Sequence, residues 1–193
     1  MIDPSQPAFL ARLMTHRWSL AVLSELRRTG GAKFVTLAHR LKVPRASLSS
    51  ALKHLAALDL VTRNPGYGHP LRPEYLLTET GVQVADLARH ILRTVPDAET
   101  RETLLKKWSL PIVLAVGRNG KRFMELRESL APITPRALTL GLKDMEGRRW
   151  VARTVVKTYP PSPIYTLQPP GLKTLPTLEQ INALTTADLR FET

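Results

Sequence analysis

Arg45, Ser49, Ser50, Lys53 and His54 fall within ten residues of one another in the stretch RASLSSALKHLAAL. Cations, hydroxyls and an imidazole at this density donate hydrogen bonds and carry positive charge, which is the chemistry that holds phosphate oxygens and reads base edges. Their spacing puts them on one side of a helix. At about 100° per residue, Leu48, Ala51, Leu52, Leu55 and Leu58 make an apolar stripe. The opposite face then carries Ala46, Ser49, Ser50, Lys53 and Ala57, with His54 at its edge and Arg45 near the N-terminus. A second stretch, TPRALTLGLKDME, presents Arg136, Thr139, Leu140, Lys143 and Asp144 in the same way. Leu140 and Asp144 make this the poorer face for a polyanion, since an aspartate beside phosphate is unfavourable. Two loops add further cations: Arg63, His69 and Arg72 flank PGYGHPLRP, and Arg153 and Lys157 flank KTYPPS. The turns GGAK at 30–33 and RNGKR at 118–122 offer basic groups that could pin a phosphate.

Other chemistries lack their residues. His16, His39, His54, His69 and His90 are scattered without ligand spacing, so no metal site is expected. No glycine-rich phosphate cradle is present, and nothing arranges a nucleophile beside a base, so neither a cofactor nor an enzyme is expected. Cysteine is absent, which excludes disulfides and thiol sensing within the chain.

Charge supports the polyanion reading. Twenty-eight Lys and Arg against 16 Asp and Glu give a net charge of +12 in 193 residues. Residues 1–96 contribute +7 and residues 97–193 contribute +5, so the excess is no charged tail. Such a surface attracts nucleic acid. No leader or membrane-spanning run is evident, and the expected location is cytoplasmic, on the nucleoid, with no membrane partner.

An internal duplication organises these groups. HRWSL at 16–20 returns as KKWSL at 106–110, and an offset of 90 also aligns Leu48 with Leu138, Lys53 with Lys143, Arg63 with Arg153, Tyr75 with Tyr165 and Gly81 with Gly171. One slip, to 89, aligns Phe34 with Phe123. Period and punctuation give each copy the same order. WSLAVLSELRR, KFVTLAHRLK and Pro44 to Leu58 read as helices, LVTRN and EYLLT as strands around a turn-rich loop, and ETGVQVADLARHIL as a closing helix. The second copy reads TLLKKWSLPIVLAV, RFMELRESL, TPRALTLGLKDME, WVARTVV and PIYTL. Trp18 and Trp108 are expected to anchor the first core helix of each copy. Three helices followed by a strand, wing and strand make a winged helix-turn-helix.

RFMELRESLAPITPRALTLGLKDME at 122–146, with its following strand, wing and PIYTL, resembles the HxlR-type winged helix regulators of bacteria. RPEYLLTETG at 72–81 resembles the wing exit of the same family. The likeness covers about residues 15–95 and 103–175. It implies DNA binding through the third helix and wing of each copy. Members of that family usually carry one such domain and pair as homodimers, so two copies imply a pseudo-dimer within one chain.

The expected fold is mainly α with small β-hairpin wings: a winged helix domain at 1–96, a second at 97–175, and a helix at 176–193 for packing or dimerisation. The expected function is a transcriptional regulator that binds double-stranded DNA, with a small-molecule effector and either a monomeric pseudo-dimer or a homodimer open. The alternative is a winged helix pair turned to small-molecule binding between the copies.

Overall fold

The computed structural model describes residues 7–64, 74–95, 97–156 and 162–188. In the first repeat, α1 (Ala8–Leu13) and α2 (Ser19–Thr29) precede β1 (Ala32–Lys33), α3 (Phe34–Leu41), α4 (Arg45–Ala57), β2 (Val61–Asn64), β3 (Glu74–Leu77) and α5 (Glu79–Thr94). The second repeats the series as α6 (Ala98–Leu104), α7 (Ser109–Val116), β4 (Lys121–Arg122), α8 (Phe123–Ser129), α9 (Pro135–Gly147), β5 (Val151–Val156), β6 (Ser162–Leu167) and α10 (Pro169–Asp188). The offset of 90 carries α1, α2, α4, β2 and α5 onto the starts of α6, α7, α9, β5 and α10, and α3 meets α8 at 89. The duplication therefore includes the short first helices.

Local chemistry explains the helix ends. Gly30 closes α2 at φ +71, a conformation that glycine adopts without Cβ cost. Asp97 caps α6 by accepting from the Thr100 N–H at 2.6 Å, and Thr134 caps α9 by accepting from Ala137 at 3.2 Å. Pro135 then sits at the first helical position, where its missing N–H costs nothing. Pro169 and Pro170 start α10 for the same reason, so that helix begins well before Pro176, which lies inside it.

Each repeat forms a three-stranded antiparallel sheet, in the orders β1-β3-β2 and β4-β6-β5. The registers are equivalent: Val61 pairs with Leu77 and Arg63 with Tyr75, as Val151 pairs with Leu167 and Arg153 with Tyr165. The two-residue strands β1 and β4 lie in segments that read as turns in sequence, because two residues carry no alternation to detect.

Two expectations about tryptophan and helix continuity need correction. TLLKKWSLPIVLAV is not one helix, since α6 ends at Leu104 and α7 starts at Ser109. Trp18 and Trp108 occupy the residue before α2 and α7, half-buried, with Arg17 and Lys107 over their rings at 5.3 and 5.0 Å. A cation over an aromatic face keeps such a ring favourable at the surface. Trp150 is the buried tryptophan.

The cores follow the apolar stripes. Leu48, Ala51, Leu52 and Leu55 are buried on α4, and Leu138, Leu142 and Met145 on α9. Gly81 and Gly171 mark one tight junction in both copies. A Cβ on Gly81 would lie 1.9 Å from the Leu60 carbonyl oxygen, and one on Gly171 2.8 Å from that of Trp150. Another junction has exchanged its volumes. Val22 and Ala51 are buried in the first repeat; the same two positions in the second hold Ile112 and Gly141. The Ile112 Cδ1 methyl fills the space that a Gly141 Cβ would enter, at 2.4 Å. One carbon has moved across the contact, keeping packing density.

Two compact units divide the chain: Thr15–Thr94, and Met1–Met14 together with Val95–Thr193. The first helix thus belongs with the second repeat, where 1–96 was expected as one domain. Phe9, Leu10 and Leu13 of α1 are buried, and α1 packs on α7 and α10. The Leu10 N–H donates to the buried Asn182 Oδ1 at 3.4 Å, which satisfies a first-turn donor.

Candidate nucleic-acid interface

Helices α3 and α4 make the helix-turn-helix of the first repeat, joined by Lys42 at φ +51, the buried Val43 and the exposed Pro44. Burial of the leucine stripe fixes which face of α4 is left outside. Arg45, Ala46, Ser50 and Lys53 are exposed there, and Ser49 is half-buried at the margin. His54 is half-buried too, its ring 4.9 Å from that of His16. Burial, and then the proximity of His54, hold His16 below the ordinary imidazole range.

In the second repeat α8 and α9 take the same roles, and Arg136, Thr139, Leu140 and Lys143 are exposed on α9. The exposed Thr139 hydroxyl donates to the Pro135 carbonyl at 2.9 Å. Asp144 is not the bare negative charge expected from sequence: Lys106 donates to its Oδ2 at 2.7 Å. Lys106 and Asp144 lie 90 residues beyond His16 and His54, so one structural contact is an imidazole pair in one repeat and an ion pair in the other.

Arg63 and Arg153 are exposed on β2 and β5 at equivalent register positions. His69, Arg72 and Lys157 lie outside the described residues. The structure thus groups Arg45, Ser50 and Lys53 on one helix face and Arg136, Thr139 and Lys143 on its counterpart.

A basic cluster at the entry to α3 is added by the fold. Glu25, 11% exposed on α2, accepts from Arg28 at 2.7 and 2.9 Å and from Arg40 at 3.2 Å. Those bonds, the one from Arg28 foremost, keep the Glu25 carboxyl below its usual range despite its burial. Arg28, Lys33, Thr36 and Arg40 line an open cavity of about 480 Å³, with Glu74 also on its wall. Only the Glu25–Arg28 spacing was readable in sequence, as an i,i+3 helix pair; Arg40 arrives from another helix. In the second repeat the position of Thr36 holds Glu125, whose carboxylate accepts the Arg122 N–H at 2.5 Å. A carboxylate occupies that helix entry, where the first repeat has a hydroxyl among cations.

A family model described as HxlR-like helix-turn-helix matches residues 13–98 and matches again at 103–192. An uncharacterized HTH-type transcriptional regulator of Mycobacterium tuberculosis (strain CDC 1551 / Oshkosh) is 44% identical over 69 residues, 36% of this chain and 43% of the relative. One from Mycobacterium bovis is 42% identical over the same share. The chain spans less than half the length of these curated relatives. A solved structure described as a MarR-family transcriptional regulator from Porphyromonas gingivalis W83 is 25% identical, with a TM-score of 0.41, over 51% of this chain and 97% of its own.

Proposed function

The chain belongs to the HxlR-like helix-turn-helix family, and from that premise we propose that it is a DNA-binding transcriptional regulator whose two winged helix repeats act as an internal pseudo-dimer on duplex DNA. The observation that carries this is the outward face of α4, where Arg45, Ser50 and Lys53 stand exposed on the second helix of a helix-turn-helix. That helix enters the major groove, with its N-terminal residues toward base edges. Arg45 and Lys53 hold phosphates, and Ser49 and Ser50 reach base edges or phosphate oxygens. Arg63 and the wing residues His69 and Arg72 follow the backbone beside it, and His54 contributes from the edge. Arg136, Thr139, Lys143, Arg153 and Lys157 do the same for the second half-site.

The pseudo-dimer reading draws on the duplication itself, since the family model matches the chain twice, at residues 13–98 and 103–192. The first repeat is the stronger reader, because Ser50 and Lys53 continue a polar and cationic outward face on α4, whereas the exposed Leu140 interrupts the equivalent face of α9. Bound to DNA, the protein resides on the nucleoid and regulates by occupying its operator.

Fluorescence anisotropy on labelled duplex DNA across a salt series tests this. Binding should weaken with a log–log slope of roughly −0.9 for each phosphate neutralised. No binding at low salt, or an affinity indifferent to salt, sinks the proposal.

A further inference from the structure

Among the exposed large apolar side chains, Val35 and Met124 stand at equivalent positions of α3 and α8, so that apolar character is common to both repeats. Leu140 differs. It is 54% exposed on α9, and its counterpart on α4 is Ser50. Its neighbours on the outward face are otherwise suited to nucleic acid: Thr139 matches Ser49 as a hydroxyl, Lys143 matches Lys53, and Arg136 adds a cation where α4 has Ala46. The carboxylate one turn further on, Asp144, is held by Lys106. A leucine thus stands in the middle of a positively charged helix face, where α4 has a serine.

We propose that Leu140 is a specificity-determining residue that packs on the C5-methyl of a thymine in the half-site met by the second repeat. This rests on the DNA-binding reading above. The thymine methyl is the apolar feature among major-groove base edges; guanine, adenine and cytosine present acceptors and amino groups there. A leucine laid over those groups strips their water and returns no hydrogen bond, which costs free energy. Over a methyl it buries apolar area on both sides. Leu140 is the sixth residue of α9, on the N-terminal half that faces bases in helix-turn-helix proteins. Ser50, at the sixth position of α4, offers a hydroxyl to a base edge, so the two repeats select different bases at equivalent places.

The test uses duplexes selected by the full chain from a randomised library, then resynthesised with deoxyuridine in place of each thymidine, one half-site at a time. In one half-site, removal of the methyl should weaken wild-type binding roughly threefold to fivefold, as expected for one buried methyl-sized group. Leu140→Ser should bind both versions of that half-site equally, and Leu140→Met should keep most of the preference. Equal affinity of the wild type for both versions overturns the inference while leaving DNA binding standing. So does a preference that Leu140→Ser retains. A change in sedimentation with Leu140→Ser and no change in the deoxyuridine ratio also overturns it, and shows a protein contact at that face. Recovery of no duplex from the library refutes the DNA-binding reading, and the inference with it.

Discussion

Helices α2 and α7 occupy equivalent places in the two repeats, yet they meet different surroundings. α7, SLPIVLAV, is buried at all eight residues, whereas α2 leaves Arg27 and Arg28 exposed and buries five residues of eleven. A helix that is apolar all round needs neighbours on every side. α7 has them in α1, α8, α9, α10 and β6. α2 keeps a charged side, and that side carries the Glu25–Arg28–Arg40 cluster. Duplicated sequences therefore share a scaffold while each repeat uses its variable positions differently, one for cations and the other for burial.

The largest effect expected from this comparison is at the shared glycines. Gly81→Ala drives a Cβ into a backbone oxygen at 1.9 Å, whereas at Gly171 the approach is 2.8 Å. Gly171→Ala should cost about 1 to 3 kcal/mol in urea unfolding, and Gly81→Ala more than that. The reverse order would mean the two junctions are not equivalent.

Next comes DNA affinity. Arg45→Ala with Lys53→Ala should weaken duplex binding more than Arg136→Ala with Lys143→Ala, measured by anisotropy at one salt concentration. Because Arg45 and Lys53 are assigned to phosphates, repeating the titration across the salt series should also show the slope reduced by about one for each contact removed. Equal losses would establish a symmetric reader; a larger loss from the second pair would reverse the assignment.

The exchanged volumes give a smaller, sharper test. Ile112→Val combined with Gly141→Ala restores the first repeat's pair in the second. The double variant should be more stable than the sum of the singles by about 0.5 to 1.5 kcal/mol, the range for residues in contact. Simple additivity would show that the two sites do not share their space.

The smallest effect is pH dependence. The folded state holds His16 below 6.5, so as pH falls through 6.5 the unfolded chain takes up a proton that the folded chain resists. Stability contributed at this site is therefore full above 6.5 and declines on the acid side, until His16 protonates in the fold as well. His16→Gln should flatten that decline in a urea series from pH 7.5 to 5.5, and Lys106→Gln should not. An unchanged slope in His16→Gln would remove the imidazole pair as its source.

Much of the scaffold was legible along the chain. The leucine stripe of α4 emerges as the buried face because four of its members recur at helical spacing, and Leu58 alone ends half-buried, at the helix's closing turn. The strand pairs were visible as short runs between turn residues. Strands β1 and β4 were not, since two residues show no period, and their strand character comes from pairing with β3 and β6. At the site, the outward positions of α4 and α9 followed from the same periodicity. The partners of those positions did not: His16 beneath His54 and Lys106 beside Asp144 each cross 38 residues of chain.

By itself the sequence determined the duplication, the helix-helix-helix-strand-strand order and the basic outward faces, because identity at a fixed offset, apolar period and charge are all properties of residues read in line. Tertiary structure alone decided that α1 belongs with α7 and α10, that Asp144 is neutralised by Lys106, and that Glu25 gathers Arg28 and Arg40. Those outcomes depend on which side chains arrive together from distant segments, and the free energy of a charge or an apolar face is set by what it meets there.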